Sequence, residues 1–480
     1  MRRRLFAAVA IATAVLLPGG DLAGMAGTVD SSALKVEAAA RAAYGIGDPY
    51  YPADGNPGYN VVSYHVVLDY FTQHETIKAI TIVRSTAKQR LSSFHLDLKG
   101  LRVGSVSVDG RPATWARRGE HELVVTPAHT VRAGEAFATR VSYRGRLRYV
   151  LDAGDPSGWS SARTPGSGYI AGEPHGCAVW YPCNDHPTDK ARFSLNATVP
   201  RPLAVVSNGR QGHTTRGAWH GVKVRTFRWR LGERTATYMT TMYIDKLTFE
   251  RSRLADGTRV VSSYGPKPGR APKRESRLPE ILRVLGRRWG PYPAPQAGGI
   301  FVSDSIPYEL ETYTRPVYSR STNLITIVHE NGHQWWGDNV ALHRWRDICL
   351  NECLASYSEW LWDEHNGANL DHRYRHEIKK RGDNLFTMKL YDMGPNHEFD
   401  SAVYVKGKFF VHALRNKVGD RRFFSAMRGV QHDFAGGNIS MNRLRNQIER
   451  RTGADLRGFW RQWVYQTDRP SDANLFPGAL

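Results

Sequence analysis

"VHENGHQWWGDNV", residues 328–340, carries two histidines four apart, with a glutamate directly after the first. On a helix, positions i and i+4 lie on one face. His329 and His333 are therefore placed to share one metal ion, with Glu330 turned about a quarter of the way round. A control lies in the same chain: "HRYRH" gives His372 and His376 the same spacing, but no glutamate follows the first. That pair reads as a solvated helix face. What separates the first pair is Glu352, nineteen positions beyond His333, in "CLNECLASY". Two imidazoles and one carboxylate leave one position of a tetrahedral zinc open, the pattern of a catalytic rather than a structural site. Glu330 is poorly angled to ligate but can reach a water as general base.

Working outward, the two halves of the chain differ in period. From Tyr59 to about Ile244 apolar residues alternate, as in "VVSYHVVLDY" (61–70), where Val62, Tyr64, Val66, Leu68 and Tyr70 read as one face. "VSVDG" (106–110) runs into an Asp-Gly hairpin turn. After about Lys246 the character changes, and beyond residue 321 nearly every segment is helix-periodic. "LNECLASYSEWLWDEHNG" puts Leu350, Cys353, Leu354, Tyr357 and Leu361 on one stripe and ends at Gly367. The fold class is α+β: an antiparallel β domain over 46–247, then a mainly helical domain over 248–470 and a tail, 471–480.

At the other end, three arginines precede an apolar run from Leu5 to Leu17, which Pro18, Gly19 and Gly20 break. This is the layout of a secretory signal peptide over 1–26, followed by a tail, 27–45. The run is too short to cross a bilayer, which needs about 20 residues. The expectation is a secreted, extracellular protein without a transmembrane anchor. Net charge is +21, and loss of three Arg and one Asp with the signal lowers it to +19. The basic residues are dispersed, with no Lys/Arg block. That argues against nucleic acid and leaves loose association with an anionic surface open. The four cysteines form two close pairs. Cys177 and Cys183 can close a small loop, whereas Cys349 and Cys353 stand i,i+4 on one helix, a poor geometry for bridging. Connectivity stays open.

These motifs resemble the zinc aminopeptidase family of aminopeptidase N and leukotriene hydrolase. Its pattern of H-E-x-x-H, eighteen residues, then Glu in an Asn-Glu context is met by His329, Glu330, His333, Asn351 and Glu352, with Cys353 where a glycine is usual. The likeness spans roughly residues 46–469. "YELET" (308–312) takes the place of the family's Gly-Ala-Met-Glu-Asn motif, so Glu311 aligns with the amine-binding glutamate; Tyr308 and Thr312 are departures. "VYVKG" (403–407) aligns Tyr404 with the transition-state tyrosine. In "GEPHGCAVWYPCNDHPTDKA" (172–191), Glu173 falls on a second amine-contacting position. The chain stops soon after "FWRQWVYQTDRP" (459–470), where the family's catalytic domain ends, so a short form without the C-terminal helical domain is expected.

The resemblance implies a saddle-like β domain, a thermolysin-like catalytic domain and one Zn²⁺ per chain on His329, His333 and Glu352. Glu330 would be the base, Tyr404 the oxyanion donor, and Glu173 and Glu311 the anchors of a free peptide N-terminus. Rivals are a zinc endopeptidase with the same metal site, an epoxide hydrolase, and a surface-binding protein with an idle site. The preferred N-terminal residue and the oligomeric state are not readable from the sequence.

Overall fold

A computed structural model describes residues 45–152 and 154–480; the predicted signal peptide lies outside them. The largest sheet has nine strands. Its order runs Arg210–Gln211, Val222–Thr235, Ala191–Pro200, Tyr59–Phe71, Thr76–Ala87, Ala136–Arg146, Arg102–Val108, Arg111–Pro112, with Thr215–Trp219 pairing beside Val222–Thr235. Asp109 and Gly110 both have positive φ (49° and 78°), so the Asp-Gly hairpin forms as read.

Two details depart from the sequence reading. The central pair, Tyr59–Phe71 with Ala191–Pro200, is parallel. Parallel neighbours need a long crossover, and residues 72–190 supply one by building other strands in between. The alternation in Tyr59–Phe71 also slips at a register shift between Val61 and Ser63. Val61 is buried and Val62 only partly so, whereas Tyr64, Val66, Leu68 and Tyr70 keep the inward face. The Val61 amide donates to the Asp189 carboxylate, at 3.0 Å. A buried side-chain acceptor of this kind can hold an irregularity that period-two reading cannot foresee.

A second, five-stranded sheet runs Ala204–Ser207, Met242–Asp245, Gly168–Ala171, Asp155–Ser161, Tyr149–Asp152. It delivers Asp152, Asp155 and the loop after Ala171 to the candidate site. Strands also persist beyond Lys246. Thr248–Arg253, Arg259–Tyr264, Gln296–Ala297, Ile300–Phe301 and Val317–Tyr318 make a mixed sheet, so the helical part sets in later than the composition shift suggests. Three of these strands are two residues long, too short to show a period.

Helices Leu278–Trp289, Leu324–Gly332, Cys349–His365 and Ser401–Val418 then build the helical half. Cys349–His365 is buried on nearly every side over its first ten residues. The single stripe read from sequence therefore understates its burial. His372 and His376 are exposed on Leu370–Arg381, as expected.

Buried polar side chains tie the strands to the helices. Lys190 Nζ donates to the carbonyls of Asp338 (2.8 Å), Asn339 (3.2 Å) and Gly437 (3.0 Å). Arg315 donates through Nη1 to the carbonyls of Ser207 (3.1 Å) and Gly209 (2.6 Å). Both cysteine pairs are bridged. Cys177–Cys183 closes its loop, and Cys349–Cys353 is joined with a Cα–Cα distance of 4.7 Å. The second bridge corrects the sequence reading. Cys349 is the first residue of its helix, following a 3₁₀ turn at Trp345–Asp347. The Cα separation there lies within the range that a disulfide spans.

Candidate metal centre and substrate cavity

Asn323 starts the first site helix by accepting hydrogen bonds from the amides of Ile325 (2.9 Å) and Thr326 (3.1 Å). Apolar Ile327 and Val328 bury one side of Leu324–Gly332, and the His333 amide still reaches the His329 carbonyl, at 3.3 Å. The i,i+4 geometry is thus kept to the second histidine. Gly332 lets this helix approach Cys349–His365 closely. A Cβ there would stand 2.8 Å from Ser358 Oγ and 3.2 Å from Ala355 Cα. That approach brings Glu352 onto the histidine pair.

The three nearest ligand atoms form a small triangle. His329 Nε2 to His333 Nε2 is 3.1 Å, His329 Nε2 to Glu352 Oε2 is 3.3 Å, and His333 Nε2 to Glu352 Oε2 is 3.5 Å. A tetrahedral zinc with bonds of about 2.0–2.1 Å has ligand–ligand edges of about 3.3–3.4 Å. The residues fit the ion. Their outer atoms fix which nitrogen faces it: His329 Nδ1 meets Glu359 Oε1 at 2.9 Å, and His333 Nδ1 donates to the Trp336 carbonyl at 3.0 Å. Both Nε2 atoms are thereby left to ligate. Lys408 Nζ donates to Glu359 Oε2 at 2.9 Å and holds that carboxylate in turn. Sequence reading missed Glu359, although it lies seven residues, two helical turns, beyond Glu352. Burial opposes ionisation of Glu352, but His333 and His329 hold its carboxyl down to about 2. Glu330 is pushed up to about 8 by burial, against the pull of the two imidazoles.

Around the triangle lies a cavity of about 480 Å³ that gathers all seven predicted site residues, Glu173, Glu311, His329, Glu330, His333, Glu352 and Tyr404. Asp152, Asp155, Glu309 and Asp400, which the sequence reading did not place, add further carboxylates to the wall. Glu173 and Glu311 each keep a buried oxygen, Oε1, that accepts no hydrogen bond. Burial, then the charges of Glu311 and Glu352, push the Glu173 carboxyl well above the usual range. The "YELET" segment is held by Gln334, whose side chain donates to the Glu311 carbonyl (3.0 Å) and accepts from the Thr314 amide (2.9 Å). Both departures from the family motif have contacts of their own. Tyr308 donates to the carbonyl of Pro156 at 2.8 Å, and Thr312 Oγ1 to that of Arg315 at 2.5 Å.

Two family models match the chain: the peptidase M1 N-terminal domain over residues 60–239 and the peptidase family M1 domain over 301–463. The chain belongs to peptidase family M1. The M1 zinc metallopeptidase from Deinococcus radiodurans superposes with a TM-score of 0.81 at 26% identity, over 91% of this chain and 99% of that one. A mutant of that protein, solved with a Tyr-Ser-Ala substrate, superposes with a TM-score of 0.80, covering 89% of this chain and 99% of the other. By sequence, the chain is 22% identical to probable aminopeptidase 1 of Saccharolobus solfataricus over 86% of its own length and 54% of that protein's. It is also 22% identical to aminopeptidase N of Lactococcus lactis, over 85% of its own length and 51% of that protein's. The chain thus spans about half the length of these two aminopeptidases. Zinc is the metal of the M1 structures it matches, and the His329–His333–Glu352 triangle suits it.

Proposed function

We propose that this protein is a secreted zinc aminopeptidase that removes the N-terminal residue of peptides. The observation that carries this reading is the pair of buried, donorless carboxylate oxygens on Glu173 and Glu311, beside the His329–His333–Glu352 triangle. A peptide's α-ammonium supplies the missing donors and the missing charge. It is also the one feature that marks a chain end.

Bound zinc supplies a Lewis acid for the scissile carbonyl and an acidified water. The other roles fall to this chain's side chains. Glu173 and Glu311 hold the ammonium and so set the scissile bond one residue from the end. Glu330 takes a proton from water at its carboxylate and returns it to the leaving nitrogen. Tyr404 lines the same cavity and donates from its hydroxyl to the carbonyl oxygen as negative charge grows there. Burial and the surrounding carboxylates hold the Tyr404 phenol well above its usual range, so it stays protonated and able to donate.

Free and N-acetylated forms of one peptide test the reading. A charge pair at about 4 Å is worth roughly 4 kcal/mol gross at an effective dielectric near 20, of which desolvation removes much. Acetylation is therefore expected to lower kcat/KM by at least about 10²-fold. Equal cleavage of both forms, or cuts at internal bonds, would replace this reading with an endopeptidase. No turnover with zinc bound would leave the binding protein with an idle site.

Export is supported by the sequence of residues 1–26 and by two disulfides, which persist in oxidising compartments. No helix among the described residues is long and apolar enough to cross a membrane. Loose association with an anionic surface is supported by an open groove of about 1080 Å³ on the large sheet, lined by Arg84, Arg192, Arg210, Arg228 and Arg230.

A further inference from the structure

Away from the substrate cavity, a second group of metal-ligating side chains surrounds one imidazole. His121 Nε2 lies 3.4 Å from the Ala53 carbonyl oxygen, 3.5 Å from Asp54 Oδ1, and 3.9 Å from both Asp97 Oδ1 and Glu122 Oε1. One ligand atom from each of Asp97, His121 and Glu122 lies within 4.8 Å of the other two. Asp97 is 1% exposed. Its Oδ2 accepts from the amides of Gly55 (3.3 Å) and Asp185 (2.6 Å), and its Oδ1 from Asn56 Nδ2 (3.2 Å). Burial, then the charges of Glu122, Asp54 and Asp185, push this carboxyl well above its usual range.

Carboxylates do crowd without a ligand, but a separate observation points to one here. The Glu122 side chain is more than nine-tenths buried, and its Oε1, facing His121, accepts no hydrogen bond. Its other oxygen is already engaged, 3.2 Å from His95 Nδ1. The buried Oδ1 of Asn56, whose amide donates to Asp97, also lacks a donor. A buried acceptor left unmatched keeps the full cost of its lost hydration, and a charged one more so. A cation beside His121 removes that cost for the Glu122 carboxylate.

We propose that Asp97, His121 and Glu122 hold a second divalent cation, independent of the one on His329, His333 and Glu352. An imidazole among carboxylates selects a first-row divalent ion such as zinc over calcium or magnesium, which prefer oxygen alone. A chain of contacts also connects this cluster with the substrate cavity. Asp54 faces His121 with Oδ1 and accepts from His175 Nδ1 at 2.7 Å with Oδ2. His175 stands two residues after Glu173, and its Nε2 lies 3.7 Å from Oδ1 of Asp152, a cavity residue. The cluster is thus joined through Asp54 and His175 to the loop that carries Glu173.

The full chain, loaded with zinc chloride and desalted, is expected to carry two zinc ions by elemental analysis. Crystals of the same material should show two anomalous peaks at the zinc edge, one of them among Asp97, His121 and Glu122. Glu122→Gln is expected to lower the count from two to one while retaining the peak at His329. His333→Ala should lose the other ion instead. If Glu122→Gln does not fold, His121→Gln, at a more exposed position, takes its place. A single peak in the wild-type map, or a count unchanged by both β-domain substitutions, overturns the proposal and leaves a protonated His121 as the cluster's cation. Because the readout is metal count and position, it does not depend on the peptidase reading.

Discussion

Glu330 shows how much one side chain's role depends on what surrounds it. Its carboxylate is buried beside two imidazoles, in a wall shared with other acids. Replacing it by glutamine keeps the shape and removes the basicity. Glu330→Gln should retain zinc by elemental analysis and lose about 10²–10⁴-fold in kcat; a near-normal kcat would move the base elsewhere. Tyr404→Phe is expected to lower kcat by about 10²–10³-fold with KM little changed, as for loss of another oxyanion donor. A change confined to KM would make Tyr404 a binding residue. Glu311→Ala should slow free-amine peptides far more than acetylated ones, narrowing the ratio between them. At this scale His329, Glu330 and His333 were candidates because metal ligation and its base impose a spacing along one helix, and Glu352 as a third ligand beyond it, whereas Glu173, Glu311 and Tyr404 were candidates only through the family's motifs. The acids that complete the wall were not, because Asp152 and Asp155, on two paired strands, and Asp400, far along the chain, share no spacing that marks them for the site.

At the scale of elements, close approach of helices decides the site. Ser401–Val418, which carries Tyr404, crosses Cys349–His365 at Gly407. A Cβ at that position would meet Cys353 Sγ at 2.7 Å and Cys353 Cα at 3.0 Å. The cysteine that replaces a customary glycine after Glu352 is thus accommodated by a glycine opposite. Gly407→Ala is expected to cost about 1–3 kcal/mol, as overpacking does. It should also lower kcat by displacing Tyr404, measured as a reduced thermal midpoint together with kinetics. An unchanged midpoint would mean that the two helices part without cost. Helix existence followed from period and caps. Which helices touch, and at which residue, follows from packing between segments some fifty residues apart, on which local sequence is silent.

For the whole molecule, the strands and the helices are joined by buried polar groups as well as by apolar surface. Lys190 is fully enclosed, and burial lowers its amine to about 7. Its three carbonyl partners nevertheless all lie in loops of the helical half. Lys190→Met should destabilise the fold by about 1–3 kcal/mol, because it strands those acceptors. Chemical denaturation would measure this, and a variant as stable as wild type would show that water replaces the amine. Charge also acts at this scale. The arginine-lined groove should retain the protein on phosphatidylserine vesicles at low salt and release it as ionic strength shortens the Debye length below about 10 Å. Equal retention on neutral vesicles would remove the electrostatic explanation.

By itself the sequence determined the α+β order, the candidate triad His329, His333 and Glu352 with Glu330 beside it, and the family these imply. Each depends on residues close in the chain, or on a period that a helix or strand imposes. Tertiary structure alone decided the parallel pairing at the centre of the large sheet, the slip at Val61, the Cys349–Cys353 bridge and the second cluster around His121. Each of these rests on how distant segments meet, and burial there sets which polar groups find partners. The Glu122 oxygen is left without a donor only because the chain around Asp54, Asp97 and His121 closes over it, a condition that no spacing along the sequence records.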